Sequence, residues 1–309
     1  MNKLILFILV AFVNLFAQGQ VVETTRMKTW METFGDKNDP AVLLIMGGFC
    51  QGILWPTEFC EALASEGFYV IRYDQRDTGL STCVDFKKEP YDLLDMAKDG
   101  VAILDYLQID KAHLCSLSMG GCVAELISIH YPSRVIALTL ISTSSDMRPC
   151  SLAYDELPST GITLPRPTDE YLAWMQKFLT KAPKSFEEAL DQRVECWSIL
   201  NGRKTPFDEE RYRELHTEFL KRCVHPESLT NHLDAIRLSF DIILEAPAKV
   251  THPTTVLHGT EDPILLPIHG ETLARLIPHS KFHLLEGYGH VPNKHFYSDF
   301  IKAIKEGAN

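Results

Sequence analysis

Apolar and polar positions change rhythm along this chain in a way that divides it into parts. V-V-E-T-T-R and M-K-T-W-M-E-T-F-G alternate, as the strands of an antiparallel hairpin do when one face is wet. The turn D-K-N-D-P then leads into A-V-L-L-I-M, an unbroken apolar run of the kind a strand buried on both faces produces. From here strands and helices take turns. W-P-T-E-F-C-E-A-L-A-S-E-G reads as a helix stopped by Gly67, F-Y-V-I-R-Y as a strand, and D-L-L-D-M-A-K-D-G-V-A-I-L-D-Y-L as a helix. A-H-L-C-S-L follows as a strand, M-G-G-C-V-A-E-L-I-S-I-H-Y as a helix ended by Pro132, and V-I-A-L-T-L-I-S as a strand. Such alternation implies parallel crossovers and an α/β fold with a mostly parallel, doubly wound sheet covered on both faces.

The rhythm stops near Ser145 and resumes with P-T-T-V-L-H-G, the helix G-E-T-L-A-R-L-I-P, the strand K-F-H-L-L-E-G and a last helix. Between them lie helical patterns (Y-L-A-W-M-Q-K-F-L, F-E-E-A-L-D-Q-R-V, E-E-R-Y-R-E-L-H-T-E-F-L) and a proline-rich joint at P-R-P-T. Residues 146–248 are therefore expected to form a helical cap, and residues 20–145 and 249–309 the core. Doubly wound sheets place their sites at the carboxyl ends of the strands, which is where the cap should sit.

The N-terminus departs from all of this. Lys3 precedes a continuous apolar stretch from Leu4 to Val13, with Ala17 and Gly19 as small residues beyond it. Residues 1–19 read as a secretory signal peptide cleaved after Gly19 or Ala17, which would make the protein periplasmic or secreted. The competing reading is an uncleaved membrane anchor, for which the run is short against the ~20 apolar residues a spanning helix needs. No other membrane attachment is expected.

Composition and charge narrow the partners. A chain of 309 residues with 45% hydrophobic and 23% charged residues is globular rather than disordered. A net charge of -11 without Lys/Arg clusters gives nucleic acid no electrostatic footprint. The eight cysteines show no C-x-x-C and no zinc-ligand spacing, so no metal is expected. Export would permit disulfides, but most of these residues read as small buried apolar side chains, Cys115 and Cys122 above all.

The chemistry centres on H-L-C-S-L-S-M-G-G, residues 113–121. In a nucleophile elbow the serine takes positive φ between a strand and a helix, and side chains two residues before and after it are crowded. With Ser118 as nucleophile those positions are Ser116 and Gly120; with Ser116 they would be Leu114 and Ser118, and leucine would clash. Geometry prefers Ser118, its competing role being a simple helix N-cap. An acid and a histidine should then follow late strands, in that order. T-E-D-P offers Glu261 and Asp262, and Pro263 favours Asp262 by fixing its backbone as extended, leaving Glu261 as a loop cap or solvated charge. E-G-Y-G-H supplies His290 as the base. Oxyanion donors are expected at the backbone N–H of Met119 and at Gly48 in I-M-G-G-F-C-Q-G, with Phe49 as the alternative. Trp197, Phe207 and Tyr212 could line a pocket or pack cap helices.

With these residues in place the chain resembles the α/β-hydrolase fold and, within it, the esterases similar to aclacinomycin methylesterase. The resemblance lies in L-L-I-M-G-G followed by W-P-T-E-F, V-I-R-Y-D-Q-R-D-T-G-L-S-T, L-S-M-G, E-D-P-I-L-L-P-I-H-G and G-Y-G-H. It extends through the cap at Arg193, Val194, Trp197, Ile199, Leu200, Gly202, Pro206, Phe207 and Asp208. It implies a triad of Ser118, Asp262 and His290, an oxyanion hole at Gly48 and Met119, a small-molecule ester substrate, and no metal or organic cofactor. Two departures stand out: the leader, and Ser116 in place of the glycine before the nucleophile. The expectation is a carboxylic ester hydrolase using an acyl-enzyme. A lactonase, a thioesterase, a C–C bond hydrolase, an acyltransferase and a non-catalytic binding protein are the alternatives.

Overall fold

The computed structural model describes residues 19–153 and 161–308. The expected leader, apart from Gly19, lies outside the described residues. Among the described residues eight strands form one sheet: β1 (Gln20–Glu23), β2 (Lys28–Phe34), β3 (Ala41–Ile45), β4 (Tyr69–Tyr73), β5 (Ala112–Leu117), β6 (Val135–Ile141), β7 (Thr254–Gly259) and β8 (Lys281–Leu285). Their order is β1-β2-β4-β3-β5-β6-β7-β8. The alternating hairpin β1-β2 is antiparallel, and β2 joins β4 antiparallel; every other pair is parallel. Thus the sheet changes character where the sequence changes from alternation to continuous apolar runs.

Helices cover both faces. In the core these are α1 (Thr57–Ser65), α2 (Leu93–Tyr106), α3 (Met119–His130), α10 (Ile268–Leu276) and α11 (Tyr297–Ala308). Register shows which face each covers, because neighbouring side chains along a strand point to opposite sides. Val42 pairs with His113 and Leu43 with Leu114. Gly307 of α11 lies against His113, whereas Gly100 of α2 lies against Leu43. Helices α2 and α11 are therefore on opposite faces, with α3 packed beside α2 and the Phe59 ring of α1 against Phe300 of α11 at 6.1 Å.

Between β6 and β7 the described residues form six α-helices and no strand: α4 (Arg148–Ala153), α5 (Asp169–Thr180), α6 (Phe186–Asn201), α7 (Glu209–Arg222), α8 (Asn231–Leu238) and α9 (Phe240–Glu245). The three longest begin on side chains that accept from their first-turn N–H groups: Thr168, Ser185 and Asp208. No helix among the described residues is long and apolar enough to cross a membrane. No disulfide joins the cysteines among the described residues, and Cys60, Cys115, Cys122 and Cys150 are buried.

Sheet order fixes where a site can form. From β3 the chain moves outward to β4, then returns to place β5 on the other side of β3. At such a switch point the loops leaving two adjacent strands turn apart and open a crevice at their carboxyl ends. The loops leaving β3 and β5 are the ones that carry Gly47–Gly48 and Ser118.

Candidate active site

Ser118 closes β5 and opens α3 with φ 53° and ψ -125°, a conformation that costs any residue with a Cβ. Its side chain makes no capping bond to α3, which leaves the N-cap role unfilled. The crowding around this turn is severe on one side. A Cβ on Gly120 would come within 2.4 Å of the Ile45 carbonyl oxygen, and one on Gly121 within 2.5 Å of Thr143 Oγ1. On the other side Ser116 is fully buried, and its hydroxyl donates to the Thr139 carbonyl (3.3 Å). The elbow thus accepts a serine there by giving its hydroxyl an acceptor across the sheet.

The acid and the histidine come from the far side of the sheet. Asp262 follows β7 and His290 follows β8, both buried, with His290 Nδ1 2.7 Å from Asp262 Oδ2. The other carboxylate oxygen accepts from the N–H groups of Ile264 and Leu265, each at 2.9 Å. Burial alone would raise this carboxyl, but the charge and hydrogen bond of His290, with His258 and the Leu265 N–H, hold it below the ordinary aspartate value. Asp262 is therefore an anion at neutral pH, with Oδ2 placed to accept from His290 Nδ1. Glu261 points elsewhere, into an ion pair with Lys204 (3.3 Å).

The loop after β3 completes the surround. Gly47 approaches so closely that a Cβ there would lie 3.2 Å from Ser118 Cβ, and Gly48 sits against Met119. Phe49, at φ 63°, donates its N–H to His232 Nδ1 (3.1 Å), and His232 Nε2 lies 2.8 Å from the Arg76 carbonyl. Burial lowers the pKa of His232, so the ring is neutral, with its proton on the nitrogen facing Arg76. The Phe49 N–H is engaged. Those of Gly48 and Met119 make no hydrogen bond among the described residues.

Ser118 and His290 line one cavity of about 140 Å³, roofed by the cap. Trp174, Trp197, Met119 and Phe49 give it apolar walls; Arg193 is its one charged cap residue among the described residues. Trp197 lines the cavity, while Phe207 and Tyr212 stack on each other (4.9 Å) outside it. Ser118 Oγ has no hydrogen-bond partner among the described residues, an open contact that commonly tightens only when substrate arrives. No three His, Cys, Asp or Glu side chains are grouped to hold a metal among the described residues.

The His290 loop is held by the cap as much as by the sheet. His290 N–H donates to the Leu200 carbonyl (2.6 Å), Thr205 Oγ1 to the Gly287 carbonyl (2.6 Å) and Tyr212 Oη to the Pro292 carbonyl (3.0 Å). Asn293 reaches Asn201 Oδ1 at 2.7 Å. These contacts, with those of His232 and Arg193, have no local sequence signal. Each joins residues far apart in the chain, and only an unexplained polar residue inside a helical or strand pattern marks them.

Residues 40–294 match the alpha/beta hydrolase fold family. The chain is 31% identical over 282 residues to rhodomycin D methylesterase DnrP of Streptomyces peucetius, covering 88% of this chain and 91% of that protein. To 3-oxoadipate enol-lactonase 2 of Acinetobacter baylyi it is 23% identical over 278 residues, covering 88% and 90%. Among solved structures, the enol-lactonase from Burkholderia xenovorans LB400 shares the fold with a TM-score of 0.70 at 19% identity, over 93% of this chain and 99% of that one.

Proposed function

Since the chain belongs to the alpha/beta hydrolase fold family and is a carboxylic ester hydrolase, we propose that it works by a triad of Ser118, His290 and Asp262 through an acyl-enzyme. The observation that carries this reading is the strained Ser118 elbow opening into the same cavity as a buried His290 whose Nδ1 is 2.7 Å from Asp262. Ser118 Oγ attacks the ester carbonyl carbon and its proton passes to His290 Nε2. Asp262 stabilises the resulting imidazolium. The oxyanion is received by the N–H groups of Met119 and Gly48, which have no protein acceptor among the described residues; losing such a donor typically costs about 2.7–4 kcal/mol of barrier. Collapse expels the alcohol, which takes the proton from His290, and leaves the acyl group on Ser118. Water then attacks that ester with His290 as base, releasing the carboxylic acid and restoring Ser118.

The identity to a methylesterase makes methyl esters the first alcohol portion to test. A lactone is the second reading, supported by the enol-lactonase relative, and ring opening uses the same steps. Export through residues 1–19 is part of the proposal: cleavage after Gly19 would leave β1 intact from Gln20. Ser118→Ala should abolish both turnover of a simple aryl ester and labelling by a fluorophosphonate probe. Persistent labelling of that variant would refute the assignment, and a panel of methyl esters, lactones and thioesters ranks the substrate classes.

A further inference from the structure

Arginines inside this protein come with carboxylates. Arg76 meets Asp99 at 2.6 Å, Arg222 meets Asp74 at 2.6 Å, and Arg72 pairs with Glu32. Arg193 on α6 is different. Its guanidinium lies over the Phe219 ring (3.5 Å to the centroid), and its Nε donates to His216 Nδ1 at 3.3 Å. No carboxylate pairs with it among the described residues, and Nη1 and Nη2 have no acceptor there. Arg193 lines the cavity that holds Ser118 and His290, and no Asp or Glu lines that cavity among the described residues.

The groups around the guanidinium do not neutralise it. His216 is fully buried, and burial, reinforced by the charge of Arg193, keeps its pKa well below the usual histidine value. Its Nε2 has no hydrogen-bond partner among the described residues. Cys50 and Cys196 lie close by, but burial pushes the Cys50 thiol up to about 11 and raises Cys196 as well, against the pull of Arg193. Both are uncharged thiols at neutral pH. A cation held in an apolar chamber without a counter-ion is costly, and a chain with 41 acidic residues had many available to place there. The arrangement makes sense if the counter-ion arrives with the ligand. His216 occupies Nε and Phe219 covers one face, so the two remaining amino groups form the fork that suits a carboxylate.

We propose that Arg193 is the binding site for a carboxylate carried by the substrate, so that the esters this enzyme prefers bear a free carboxylate remote from the bond that Ser118 attacks. The inference rests on ester hydrolysis at Ser118 and adds the substrate's second functional group. Arg193 acts in binding and discrimination, and takes no proton in the reaction.

The test uses 4-nitrophenyl half-esters of dicarboxylic acids from glutarate to suberate, each paired with the neutral 4-nitrophenyl ester of equal carbon number. The readout is the ratio of kcat/KM, anionic to neutral, within each enzyme, so that any general loss of activity cancels. Wild type should favour the half-ester at its best chain length. In Arg193→Met the ratio should fall by at least about 30-fold, mostly through KM, and Arg193→Lys should recover part of it. The free dicarboxylate should also raise the melting temperature of wild type and leave that of Arg193→Met unmoved. A ratio that is the same in wild type and Arg193→Met overturns the carboxylate site while leaving ester hydrolysis standing. Failure of wild type to cleave any ester of either series overturns the reading beneath it.

Discussion

The floor and the roof of the cavity are built on opposite rules. On the floor, formed by loops at the ends of β3, β5, β7 and β8, charge is matched within the protein: Asp262 is met by His290 and two backbone N–H groups. In the roof, formed by cap helices, the walls are aromatic and the one cation, Arg193, has no anion beside it among the described residues. The contrast is sharpest between two arginines stacked on rings. Arg222 lies over Trp30 (3.9 Å) and also reaches Asp74, tying the cap to the loop after β4; Arg193 lies over Phe219 and, among the described residues, reaches only a neutral histidine. One cation is spent on the fold. The other is left for a ligand.

This division can be tested from its strongest consequence downward. Removing the nucleophile proposed for the floor, in Ser118→Ala, should lower kcat by roughly 10⁶-fold, with the melting temperature preserved, measured by aryl ester turnover. Asp262→Asn should come next, at about 10⁴-fold in kcat, because the amide favours the wrong tautomer of His290. The arginines should separate on stability rather than rate. Arg222→Met strands the buried Asp74 carboxylate and should cost about 3–5 kcal/mol in denaturant unfolding, whereas Arg193→Met should cost nothing or stabilise the fold.

A smaller effect tests the buried histidines of the core and the cap. Burial lowers the pKa of His113 (to about 4), His216, His232, His258 and His269 below the ordinary 6.5. The unfolded chain therefore takes up protons below about pH 6.5 that the folded one refuses, and stability falls with pH, each group contributing up to about 1.4 kcal/mol per pH unit. For His113 that loss runs down to about pH 4. Asp74 and Glu125, whose carboxyls burial raises, act in the opposite sense, five groups against two. A melting temperature that did not drop between about pH 7.5 and pH 5 would contradict the balance. The smallest change is Ser116→Gly. It removes one 3.3 Å hydrogen bond from β5 and should cost about 0.5–1 kcal/mol with kcat nearly unaltered.

How much of this could be read from the chain follows the same division. The floor is written in local pattern: apolar runs mark strands, and strands end where Gly47, Ser118, Asp262 and His290 stand, so period and punctuation together locate them. Even the choice of Ser118 over Ser116 is a steric matter of two residues on either side. The roof has no such code. That Arg193 lies near Cys50 and Phe219, or that Leu200 holds His290, depends on how helices α6 and α7 settle over the sheet. Helical periodicity says which face of α6 is apolar, but not which partner an arginine on that face will lack. Phe207 and Tyr212 show the same limit, since two aromatic residues suited to a pocket pack on each other instead.

The hold of Leu200, Thr205 and Tyr212 on the His290 loop bears on how such enzymes are inherited. A cap inserted between two strands looks like a cassette, free to be traded between relatives as substrates change. Here the cassette carries the acceptor for the backbone N–H of His290, so a crossover at its edges would import a stranger's grip on a resident histidine. Exchange would succeed only when residues 286–293 travel with the helices that hold them. Descent should therefore keep those two stretches together, although even their nearest contact, Tyr212 on Pro292, spans a separation of 80 positions along the chain.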